Sequence, residues 1–121
     1  MSVETEYLAK VREIVRKDPR YTPDAYLFVH EALDFTVRKL EKPRHVSGQE
    51  LLEGIRGFAT DQFSALAPMV FRAWGIRRSE DFGEIVFNLV ESGLMGKTEN
   101  DTRDDFKNGY DFEEAFRVRR G

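Results

Sequence analysis

The sequence predicts a mainly α-helical single domain: about five helices followed by a small C-terminal strand or hairpin, in the order of a winged helix. Three observations carry this. Apolar residues recur at intervals of three and four through successive segments. Capping residues, prolines and glycines punctuate the boundaries between them. The chain has 121 residues, 40% hydrophobic and 34% charged, the balance of one globular core.

In "SVETEYLAKVREIVRKD", Val3, Tyr7, Leu8, Val11, Ile14 and Val15 fall on one face of an amphipathic helix, and Pro19 ends it. A second helix starts with Thr22 as N-cap, Pro23 at the first helical position and Asp24 in the positive first turn. Tyr26, Val29, Leu33, Val37 and Leu40 make its stripe, and Pro43 closes it. "RHVSGQELLEGIRGFATDQF" opens on a capping box, Ser47 with Glu50, and buries Leu51, Ile55, Phe58, Ala59 and Phe63. Gly54 and Gly57 weaken that helix relative to Ala, which marks places where another element packs closely. "SALAPMVFRAWGI" reads as a short fourth helix with Pro68 in its first turn and Gly75 as its stop.

The fifth helix starts at Ser79, read as its N-cap. Phe82, Ile85, Val86, Leu89 and Val90 are its buried face, and Glu80, Asp81, Glu84, Asn88 and Glu91 its exposed one. Gly93 ends it, with Leu94 folding back on the last turn. Asn108-Gly109 is a hairpin-type turn pair, and Tyr110, Phe112, Phe116 and Val118 alternate as in a strand that could pair with "LMGKT". The same residues also fit a short helix capped by Asp111.

Together, "YTPDAYLFVHEALDFT", "RHVSGQELLEGIRGFA", "WGI" and "EDFGEIVFNLVESGLMGKTENDTRDDF" resemble a small bacterial family of conserved hypothetical proteins, the Minf-type family, over roughly Tyr21 to Phe116. The resemblance implies a stand-alone bacterial cytoplasmic domain. It brings no activity, substrate or functional residue with it.

Composition narrows the function further. There is no Cys, which excludes disulfides, thiol catalysis and Cys-based metal sites. No apolar run reaches the length of a membrane span, and "MSVETEYLAK" lacks the features of a signal peptide, so a cytoplasmic location is expected. Residues 1–78 carry 13 Lys/Arg against 11 Asp/Glu, whereas residues 79–116 carry 3 against 11. Four carboxylates on the fifth helix would repel duplex phosphates, which argues against a DNA-reading helix.

The remaining motifs have structural explanations. "NDTRDDF" offers Asn100, Asp101, Asp104 and Asp105 as hard oxygen ligands without the spacing of an EF-hand, and reads as a solvated turn. His45, Ser47 and Glu50 are sequence neighbours at a helix start, where a capping box accounts for Ser47 and Glu50. His30 stands in H-E-x-x-D, not the zinc motif. No catalytic residue, cofactor site or metal site is assigned. The expected function is a non-enzymatic protein-interaction module, binding an unidentified protein partner or itself, with no membrane contact. Its contact surfaces are the acidic face (Glu80, Asp81, Glu84, Asn88, Glu91) and the aromatic tail (Tyr110, Phe112, Phe116). The alternative is a nucleic-acid-associated regulator using Arg44, Arg56, Arg77 and Arg78, and a small enzyme comes third.

Overall fold

The computed structural model describes residues 3–42, 44–96 and 103–117. Helices α1 (Val3–Lys17), α2 (Pro23–Arg38) and α3 (Gly48–Phe63) are followed by a 3-10 turn (Ser64–Leu66) and α4 (Ala67–Ala73). Then come α5 (Ser79–Glu91), a second 3-10 turn (Arg103–Phe106) and the single turn α6 (Phe112–Ala115). They pack as one compact helical domain. No helix is long and apolar enough to cross a membrane.

Helix boundaries follow the local signals. Ser47 Oγ accepts from the Glu50 N–H at 3.1 Å, and the Glu50 carboxylate accepts from the Ser47 N–H at 3.1 Å, the reciprocal capping box. Arg44 grips the same carboxylate at 2.6 Å. Its hydrogen bond, helped by the Ser47 N–H, lowers the Glu50 pKa from 4.5 to about 2. Gly75 and Gly93 take positive φ (91° and 77°), and Ile76 and Leu94 fold back to donate to Phe71 and Leu89 carbonyls. Thr22 holds the N-cap position of α2, but its buried hydroxyl finds no partner. A Cβ at Gly54 would run into the Thr36 side chain, so the closest α2–α3 approach depends on that glycine.

The core centres on aromatic rings. Phe71 of α4 sits 5.2–5.7 Å from Phe28, Phe82, Phe112 and Phe116. Trp74 adds contacts to Phe28 and Phe63 on the adjoining side. Phe28, Ala25, Ala32 and Leu52 belong to this core although the helical stripes read from the sequence omitted them. A packed helix buries more than one narrow stripe when neighbours lie on two sides.

The C-terminal segment departs from the strand expected of it. Phe112–Ala115 form a helical turn, with Asp111 Oδ1 accepting from the Glu113 and Glu114 N–H groups at 2.8 and 3.3 Å. That cap satisfies donors which a strand would have needed a partner to satisfy. No strand forms among the described residues, so they contain no wing. Of the "LMGKT" pairing segment, Leu94 and Met95 form a bend and Gly96 is irregular, and Lys97 and Thr98 lie outside the described residues, as does Val118.

Candidate functional site

The face of α5 expected to be an acidic contact surface is fastened to the α1–α2 connection. Asp81 accepts the Tyr21 hydroxyl at 2.6 Å and the N–H groups of Arg77 and Arg78 at 2.8 and 3.2 Å. Burial and this bond to Asp81 raise the Tyr21 pKa. Asn88 Nδ2 donates to Asp18 at 2.9 Å and to the Tyr26 hydroxyl at 3.0 Å. Arg20 binds Asp18 at 2.7 Å and reaches Glu84 at 3.6 Å. The Arg20 hydrogen bond is the main reason that the Asp18 carboxyl is held well below its usual range. Asp81, Glu84 and Asn88 are therefore half-buried, Glu80 is half-buried as well, and of these five only Glu91 is exposed. The contacts bridge residues 60 and more positions apart, which no local pattern reveals.

Ser79 is corrected too. Arg78 occupies the N-cap position, and Ser79 is the first helical residue, 1% exposed. Its hydroxyl donates to the Phe106 carbonyl at 2.7 Å and accepts from the Gly109 N–H at 3.0 Å. It thus anchors the C-terminal segment to α5. Asn108, at φ 51°, makes the turn that brings Gly109 within reach.

The aromatic tail is core, not contact surface. Phe112 and Phe116 are buried against Phe71. Tyr110 donates to the Leu52 carbonyl at 2.7 Å, and burial raises its pKa. Hydrophobic burial claims such rings before any partner can.

The four arginines do not gather into one basic patch. Arg44 pairs with Glu50, and Arg56 with Glu53. Arg77 and Arg78 line a separate cleft with Arg72, and that cleft also holds Glu80, Asp111 and Glu113. Arg72 pairs with Glu113 at 2.7 Å. Three cations facing three carboxylates leave no positive surplus there for a phosphate backbone. Within the acidic loop, Asp104 pairs with Lys107 at 3.1 Å, while Asn100 and Asp101 lie outside the described residues. His30 shares a 2.8 Å hydrogen bond with Tyr7, whose pKa is raised to about 12 by burial and by Asp34 and Glu31. Ser47 and Glu50 are engaged in the cap rather than in a Ser–His–acid array with His45.

What the fold leaves open is an apolar groove of about 660 Å³ where α2, the start of α3 and the end of α5 diverge. α2 contributes Leu33 and Val37, and α5 contributes Val86 and Val90. Each pair is spaced i, i+4, so two helical ridges face one another across the cleft. Leu51 lies between them. Phe106 forms part of the lining, seated on Gly48 and Gly83, where an added Cβ would come within 3.0–3.1 Å of its ring. Arg44 and His45 mark one rim, and Glu91 and Asp104 are further charged residues at its edge. Val86 and Val90, expected to be buried, are only half-buried because they line this opening. That shortfall is the signal sequence reasoning could not supply, since periodicity marks an apolar face but not whether a neighbour covers it. No family model, no curated protein and no solved structure matches the chain.

Proposed function

We propose that the chain is a non-enzymatic protein-interaction module whose contact surface is the groove between α2, α3 and α5. The single observation that carries this is the pair of facing i, i+4 ridges, Leu33–Val37 and Val86–Val90, left half-buried around an apolar cleft. An amphipathic helix fits such a cleft, because its own apolar residues recur at the same spacing and interleave with both ridges. Burial of its anchors provides the affinity, and rim charges of both signs (Arg44, Glu91, Asp104) set its orientation. Apart from Glu91, the acidic face serves the fold instead, as does the aromatic tail.

The test is fluorescence polarisation with a synthetic labelled helix carrying Leu at i, i+3, i+4 and i+7 and Glu and Lys elsewhere. Binding is expected, and Val90→Glu should weaken it at least tenfold while circular dichroism stays unchanged. Absence of binding, or full binding by folded Val90→Glu, would overturn the proposal.

A further inference from the structure

We propose that the helix received by the groove is α4 of a second copy of this chain, so that the molecules associate head to tail. The inference rests on the groove reading above and adds its occupant.

The chain carries a ridge of the kind the groove would take. Leu66 is 60% and Met69 65% exposed, the largest exposures among the bulky apolar side chains of the described residues. Leu66, which ends the 3-10 turn and caps α4, stands with Met69, half-buried Val70 and exposed Ala73 at i, i+3, i+4 and i+7 along one side of the segment. The opposite face, Ala67, Pro68 and Phe71, is buried. The segment is thus apolar on both sides, and packing within one molecule accounts for only one of them. A water-facing apolar ridge of this kind marks a contact surface. Its exposed neighbours Ser64 and Ala65 carry no charge, and Arg72, the one charged residue of α4, is already paired with Glu113 at 2.7 Å, so docking leaves no ion unpaired.

Position makes the contact intermolecular. The groove lies at the start of α3, at Gly48 and Leu51, and the ridge follows its last residue, Phe63. Gly48 and Leu51 precede Phe63 by 15 and 12 residues, so the two features are separated by about 18–22 Å along the α3 axis at 1.5 Å per residue. A molecule therefore cannot fill its own groove with its own α4. Ridge to groove is a heterologous contact, and it leaves a free ridge at one end and a free groove at the other. The contact is small, so association is weak and depends on concentration. Being apolar, it persists in high salt, unlike a union of charged patches.

Sedimentation velocity from low micromolar to near-millimolar protein tests this. The wild type should rise from its 14.1 kDa monomer to twice that mass and beyond, with little effect of salt. The ridge double variant Leu66→Asp/Met69→Asp should remain monomeric, and so should the groove variant Val90→Glu, with Val86→Glu as a second if the first melts early. An equimolar mixture of ridge and groove variants should pair and stop at twice the monomer mass, because one intact ridge meets one intact groove. A wild type that stays monomeric, a mixture that does not pair, or association that survives folded Val90→Glu (a ridge-on-ridge dimer) would each overturn the inference. If the wild type stays monomeric while the synthetic helix still binds the groove, self-pairing alone falls. If neither occurs, the groove reading falls with it.

Discussion

Replacing Ser79 by Ala separates a surface cap from a buried anchor. An exposed N-cap serine exchanged for alanine costs about 1 kcal/mol, felt at the start of its own helix. The structure places the hydroxyl elsewhere: 1% exposed, donating to the Phe106 carbonyl at 2.7 Å and accepting from the Gly109 N–H at 3.0 Å. Ser79→Ala leaves the buried Phe106 carbonyl without that partner, a cost of about 1–3 kcal/mol. Gly109 is exposed, so water can replace its lost partner, and that bond contributes nearer 0.5–1 kcal/mol. The sum is about 1.5–4 kcal/mol, which goes into holding residues 103–117 against α5 rather than into helix initiation. Urea unfolding gives the total from the midpoint shift at constant slope. Hydrogen exchange gives its location, and protection should fall at Lys107–Phe112 more than in the first turn of α5. A loss below 1 kcal/mol, or exchange rising only at Glu80–Phe82, would refute the anchoring argument.

Gly54→Ala tests the closest helix contact by sign. Alanine normally strengthens a helix by up to about 1 kcal/mol over glycine, but here its Cβ meets Thr36, and thermal unfolding should show a net loss of about 1–3 kcal/mol. Ser47→Ala should lower stability by about 1 kcal/mol in denaturant titration through loss of the capping box. Glu50 has a folded pKa depressed from 4.5 to about 2, so its contribution is present above about 4.5 and is lost as pH falls toward about 2. Glu50→Gln should remove that part of the acid sensitivity, flattening the stability–pH curve within this window and nowhere above it.

The parts of this fold legible in the sequence are those settled by neighbours along the chain. Ser47 and Glu50 are three residues apart, and each satisfies the other's backbone group. Gly75 and Gly93 stop helices by their own φ. The sequence is silent where distant segments decide. Asp81, Glu84 and Asn88 alternate with apolar residues just as a solvated face does, and only the folded chain brings Tyr21, Arg20 and Asp18 to them. "YDFEEAFRV" satisfies both periods at once, and the Asp111 cap tips it to a helix. The groove is hardest to foresee, because Val86 and Val90 belong to the same stripe as buried Ile85 and Leu89 and differ only in lacking a helix above them.

The aromatic core also makes the protein a selective optical instrument. Trp74 is the sole tryptophan, and it sits beside Phe28, Phe63 and Phe71 at the C-terminal end of α4. Its emission reports the surroundings of α4 and the integrity of the core. It is blind to the groove, which begins at the far end of α3. A ligand entering the groove of one molecule should leave the tryptophan of that molecule dark to the event, whereas capture of α4 by a neighbour should shift it. One native fluorophore thus distinguishes, without any label, which side of the molecule has been engaged.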